Sequence, residues 1–386
     1  MEFLNWLERR RQEGKLRRLS PFHKNAQGLL IPPYPGNTGQ VFHDFSSNDY
    51  LALSRHPEVI SRARQYLEQE GAGAGAARLM SGDRPGHHEL EEEVAALKDQ
   101  EAALLFGSGY LAASGIIPAL AGRHDVIFAD RLNHASLYDG CRLASSRLVR
   151  CRHNDMEHLE EQLKAKRGRR RALIIVESVY SMDGDCAPLR DLVFLKEKYD
   201  CLLLVDEAHA TGIFGEKGGS LLEAQGVADR VDLALGTLGK ALGSYGAYVA
   251  CSGAMKEYLV NRAKSFIYST ALPPPIIGAC LAAVRLVREQ PELRRELDRR
   301  VDLFKEELLA RGINFSSPTQ IVPLQVGGSR ETITLAERFR QESILVTAVR
   351  PPTVPEGTAR LRFSVTLYHS DELLRRTAEL VGRFVD

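Results

Sequence analysis

The chain has 386 residues, a formal net charge of +1, and 44% hydrophobic and 26% charged residues. That length implies two or three domains, and the near-neutral balance gives no electrostatic case for nucleic acid or an anionic membrane surface. No apolar run is long enough to span a bilayer, the N-terminus has no apolar signal core, and Glu2, Glu8 and Glu13 speak against a transit peptide, so a cytoplasmic location is expected. Cys141, Cys151, Cys186, Cys201, Cys251 and Cys280 show no CxxC spacing and read as free thiols in a reducing compartment, with no metal site.

Residues 2 to 19 carry Phe3, Leu4, Leu7, Leu16 and Leu19 on one stripe, which predicts an amphipathic helix. Pro21 and the run Pro32-Pro33-Tyr34-Pro35-Gly36 then impose an extended arm. Helices are expected near 57–70, 86–99 and 109–121, followed by short apolar strands at Val126–Ala129, Leu173–Val176, Leu202–Val205, Leu233–Leu235 and Ala247–Cys251. Most of these strands are a helix-length apart, so crossovers and a mainly parallel sheet follow. After Pro273-Pro274-Pro275 comes a long helical region from about Ile276 to Arg311, then strands at 321–326 and 360–366 around a helix at 331–342. The fold class is α/β: an N-terminal helix and arm over 1–45, a large domain over 46–272 and a smaller α+β domain over 273–386. The basic run Lys164 to Arg171 reads as a solvated loop, with a patch drawing in an anionic substrate as the alternative.

Gly71-Ala72-Gly73-Ala74-Gly75 follows a helix, not a strand, and lacks the third glycine of a dinucleotide-binding turn. Gly239-Lys240 lacks both the upstream spacing and the Ser or Thr of a P-loop. Phe106-Gly107-Ser108-Gly109-Tyr110 opens an apolar helix, and the unpaired first-turn amides make a phosphate seat; a plain serine cap is the simpler alternative.

Two segments place polar groups directly after apolar runs: Leu204-Val205-Asp206-Glu207-Ala208-His209 and Gly236-Thr237-Leu238-Gly239-Lys240. A carboxylate at a buried strand end needs a cationic partner, and a protonated pyridine nitrogen is one. A lysine among small residues can hold a flat aldehyde as a Schiff base. An acid, a histidine and a lysine so placed suit pyridoxal 5'-phosphate. Thr237 and the Tyr268-Ser269-Thr270 segment offer hydroxyls to its phosphate. His134, after the strand ending at Ala129, can stack on the ring, and Ser181 with His209 can bond the phenolic oxygen.

These residues lie in FSSNDYLALS (45–54), RLMSGDRPGHHELE (78–91), ADRLNHASLYDG (129–140), VESVYSMDGDCAPL (176–189), VDEAHATGIFGEKG (205–218), GTLGKALGSYGAY (236–248) and FIYSTALPP (266–274). Taken together, from about Leu16 to His369, they resemble the α-oxoamine synthases, within the aspartate-aminotransferase-like (type I) class of pyridoxal phosphate enzymes. The resemblance implies decarboxylative joining of an amino acid to an acyl thioester. It implies Lys240, His134 and Asp206 as catalytic residues. Ser108, Gly109, Tyr110, Ser181, His209 and Thr237 surround the cofactor, and Thr270 reaches it from the other subunit of a homodimer. Asp206-Glu207, where a second Asp is common, and Tyr110, where Phe is common, are mild departures.

The segment Val346-Thr347-Ala348-Val349-Arg350-Pro351-Pro352-Thr353 and the N-terminal Leu16-Arg17-Arg18 resemble the members that take L-alanine and a pimeloyl thioester. Arg17, Asn48, Arg350 and Thr353 are then the expected substrate-binding residues. Arg350 is expected on a carboxylate, through a two-bond guanidinium fork, and Arg17 near the acyl substrate or merely solvated. Coenzyme A and a carrier protein both remain open as the acyl carrier. Other pairings within the family, such as glycine with an acetyl group, and a non-catalytic partner subunit are the competing readings.

Overall fold

The computed structural model describes residues 2–13, 15–17, 19–33, 40–168 and 170–385. Contacts divide the chain into two compact units: Leu53–Ser181 with Cys186–Arg294, and Met1–Ala52 with Met182–Asp185 and Arg295–Asp386.

The first unit is built on a seven-stranded sheet. In spatial order its strands are Ala102–Phe106, Ala247–Cys251, Leu233–Thr237, Leu202–Asp206, Ala172–Glu177, Val126–Asp130 and Arg147–Cys151. Only Ala247–Cys251 runs antiparallel to its neighbours, so the sheet is mainly parallel, as expected. Strands buried on both faces read as unbroken apolar runs, and every residue of Val126–Asp130 and Ala172–Glu177 is buried. Helices Gly109–Leu120 and Ala135–Leu143 cover one face. There Ile116, Leu137, Ile127, Leu173, Leu204 and Val249 form one core. Four neighbouring parallel strands end on polar residues, Asp130, Glu177, Asp206 and Thr237, at the edge where open parallel sheets bind ligands.

Two strands of this sheet escaped the sequence reading. Arg147–Cys151 lies at the sheet edge with Arg147 and Arg150 exposed, so its apolar signal is halved. Ala102–Phe106 is five residues wedged between two helices, too short for a period to show. The long helix expected after 276 is two, Pro274–Glu289 and Pro291–Leu309, because Pro291 has no N–H to continue the first. Pro274–Glu289 packs on Pro57–Glu70, where Gly278 lies so close that a Cβ would sit 2.6 Å from the Arg62 carbonyl oxygen. This helix thus lies with the large sheet, although the expected 273–386 segment grouped it with the C-terminal part.

The second unit holds a three-stranded antiparallel sheet with Ala359–Ser364 between Ile321–Gly327 and Thr347–Val349. Phe363 packs edge-on against Phe339 of the helix Ser329–Gln341 at 5.5 Å, and Phe45 stacks on His369 at 3.9 Å. The first helix stops at Gln12 and buries no residue. Leu16 is outside it and Leu19 is fully exposed, so the stripe extrapolated to 19 is corrected. Gly14 in the sequence is a poor helix former, and with nothing buried there is no packing to offset it. In place of a wholly extended arm, His23–Lys24 pairs antiparallel with Leu30–Ile31. Arg18 and the Tyr34-Pro35-Gly36 part of the proline cluster lie outside the described residues.

Candidate active site

Lys240 follows the strand Leu233–Thr237, and its Nζ lies 2.7 Å from His209 Nε2. His209 is buried, three residues beyond Asp206 at the end of the adjacent strand. The turn between them is held by the Ala208 N–H, which donates to Asp206 Oδ1 at 2.9 Å. Gly243 closes the lysine loop at φ +62°, and a Cβ there would lie 2.2 Å from the Ser54 nitrogen, so this turn requires glycine.

Asp206 is 8% exposed; its carboxylate accepts the Ala208 N–H and its carbonyl the Ser178 N–H at 2.8 Å. Burial pushes its carboxyl above the ordinary range, and the Lys240 ammonium works in the opposite direction. Glu177, 3% exposed, sits opposite Asp206 in the strand register. Burial and the Asp206 charge push it up to about 8, and its Oε1 accepts the His134 N–H at 2.5 Å. Sequence reading passed over Glu177; its signal was its place as the last residue of a run that pairs with the Asp206 strand.

His134 caps the helix Ala135–Leu143, with Nδ1 2.8 Å from Ser136 Oγ. The residue as a whole is exposed, while the ring's hydrogen bonds are part-buried. Desolvation lowers its basicity, Asp206 opposes this, and Lys240 adds to it. Ser181 is buried beyond the strand Ala172–Glu177.

Ser108 caps the helix Gly109–Leu120, and its Oγ accepts the Leu111 N–H at 3.2 Å. The simpler serine-cap reading therefore holds for that oxygen, while the first-turn amides of Gly109 and Tyr110 lack helix acceptors by geometry. A Cβ at Gly109 would meet nothing within 4 Å, which leaves space for a ligand. The exposed Tyr110 donates its hydroxyl to Asp139 Oδ2 at 2.5 Å. Thr237 Oγ1 donates to the Gly246 carbonyl at 3.0 Å and accepts the Gly239 N–H at 3.1 Å, so it must leave Gly246 before it can donate to a phosphate. Thr270 is exposed and bridges Ala77.

The expected substrate residues lie in the second unit. Arg17 Nη2 donates to Thr353 Oγ1 at 3.0 Å, and the Thr353 N–H closes a turn on the Arg350 carbonyl at 3.0 Å. Desolvation and the Arg17 charge both lower the basicity of Arg350. Asn48 is held elsewhere: its Oδ1 accepts from Arg362 Nη1 at 3.2 Å and Tyr50 Oη at 3.1 Å. The buried Arg362 was not foreseen.

The residues present fit pyridoxal phosphate: a buried carboxylate with an oxygen left for a ring cation, an amine on a neighbouring loop, and a helix start for an anion. Fold and site define a type I pyridoxal phosphate enzyme. A family model for aminotransferase class I and II matches residues 41–381. The 8-amino-7-oxononanoate synthase of Geobacter sulfurreducens is 50% identical over 341 residues, 87% of each chain. That of Citrifermentans bemidjiense is 46% identical over 382 residues, 98% of this chain and 97% of the relative. Among solved structures, a serine palmitoyltransferase from S. paucimobilis bound to a pyridoxal phosphate–myriocin conjugate superposes with a TM-score of 0.90 at 26% identity, covering 99% of this chain and 96% of the other. The chain belongs to the aminotransferase class I and II family, and within it to the 8-amino-7-oxononanoate synthases. Its cofactor is pyridoxal phosphate.

Proposed function

We propose that this chain condenses L-alanine with a pimeloyl thioester to 8-amino-7-oxononanoate, releasing the carrier thiol and carbon dioxide, in the cytoplasmic synthesis of biotin. An identity of 46% over nearly the whole length to the 8-amino-7-oxononanoate synthase of Citrifermentans bemidjiense carries the reading of the substrate pair.

Bound pyridoxal phosphate supplies an aldehyde that couples to amines and a cationic ring that draws electrons from the amino acid's Cα. Lys240 is the amine that would hold the aldehyde, and its free amine would take the amino acid's Cα proton. His209, 2.7 Å from its Nζ, orients it, and with Ser181 bonds the phenolic oxygen. Asp206, made basic by burial, keeps the pyridine nitrogen protonated. His134 offers its open ring as a stacking face. Ser108, Gly109, Tyr110 and Thr237 receive the phosphate at the helix start. Arg17 and Thr353, already joined, take the acyl chain's far end. Arg350 takes the amino acid's carboxylate, and Asn48 helps close on the substrate.

A homodimer is proposed, with Thr270 given to the partner's phosphate. The exposed Leu79, Met80 and Tyr268 beside the Ala77–Thr270 bridge support a partner surface there. Lys240→Ala tests the assignment. The purified variant is expected to lack the visible band of the lysine-bound cofactor and to lose turnover; normal turnover would sink the scheme.

A further inference from the structure

Directly behind Asp206 lies a charged cluster that the reaction does not use. Glu207 is fully buried and Lys98 is 3% exposed. Lys98 Nζ bonds the Glu207 carboxylate, the Gly219 carbonyl and, at 2.7 Å, Ser220 Oγ, which itself bonds Glu207. The second Glu207 oxygen accepts the Leu222 N–H at 3.2 Å. Ser220 stands at φ 142°, ψ −162°, a strained region that L side chains avoid.

The backbone of Glu207 is equally fixed. Its N–H donates to Leu235 O at 2.7 Å, and its carbonyl accepts the N–H groups of Ala210 and Thr211, each at 2.9 Å. Those bonds wind the turn that carries His209 and fix the backbone directly after Asp206. A buried ion pair is a poor source of stability, since apolar replacements are often neutral or better. Burial already lowers the basicity of Lys98. Desolvating two charges and straining Ser220 therefore need a return other than folding energy.

We propose that Lys98, Glu207 and Ser220 are positioning residues that set Asp206 and His209 against the cofactor, so that the cluster governs the chemical step more than it governs folding. This rests on the reading that Asp206 and His209 contact the cofactor. The longer Glu at 207, noted as a departure from Asp, is what reaches the Lys98 ammonium.

The test uses the holoenzyme in two forms. Ser220→Gly relieves the strain, since glycine takes that φ freely, and deletes the hydroxyl. Lys98→Met with Glu207→Leu replaces the ion pair by apolar bulk. In both, the thermal midpoint should stay near wild type, and kcat should fall about tenfold, as for other residues that orient functional groups. KM for alanine should stay within about twofold, and the pH midpoint of the visible cofactor band should move. A purely structural cluster would shift the thermal midpoint alone. Wild-type kcat and band in either folded variant overturn the proposal. Lys240→Ala run alongside separates the two ideas: if it keeps the visible band, the cofactor reading itself has failed.

Discussion

Glu177 and Asp206 end neighbouring strands in direct register, both buried, and two carboxylates so close cannot both ionise without a cation between them. In cofactor-free protein Glu177 is raised from 4.5 to about 8. Between those values the folded state holds a proton that the unfolded chain releases. Its contribution to stability is thus fully present below pH 4.5 and fades as pH rises to about 8, by at most about 1.4 kcal/mol per pH unit. Glu177→Gln keeps an acceptor for the His134 N–H and should flatten that slope in thermal unfolding of the cofactor-free protein; identical slopes would contradict it. Asp206, Lys240 and His134 were legible because each polar group follows an apolar strand run. Glu177 was hidden because only strand register reveals its neighbour. Thr237 was legible as a hydroxyl but not as one already committed to Gly246.

At the scale of elements, the helices starting at Gly109 and Ala135 pack together, which places the proposed phosphate seat and His134 at the starts of neighbouring helices. They approach closely at Gly140, where a Cβ would lie 2.6 Å from the Ala113 carbonyl oxygen. Gly140→Ala must push the two helices apart, with an expected loss of roughly 1–3 kcal/mol in denaturant unfolding and weaker cofactor retention on dialysis. Unchanged stability and retention would show that the helices yield without cost. The helices at 57–70, 86–99 and 109–121 were readable to within two residues of Pro57–Glu70, Pro85–Leu97 and Gly109–Leu120, because caps and apolar periods agree there. The N-terminal helix was overextended because a stripe was followed past the point where anything packs on it.

For the whole molecule, the mainly parallel sheet was readable from crossover spacing and the smaller α+β part from two strand-like pieces, but the antiparallel order of the smaller sheet was not. The grouping of Pro274–Glu289 with the large sheet was not, since a proline triplet marks a break in the chain and says nothing of what the next helix packs on. The proposed substrate residues belong to this scale too, because Arg17 lies far in sequence from Arg350 and Thr353 and meets them only through folding. The most direct test is a matrix of L-alanine, glycine and L-serine against pimeloyl-, acetyl-, succinyl- and palmitoyl-CoA, read by thiol release from the holoenzyme. The account predicts fastest release with L-alanine and pimeloyl-CoA. Preference for glycine with acetyl-CoA, or for L-serine with palmitoyl-CoA, would contradict it.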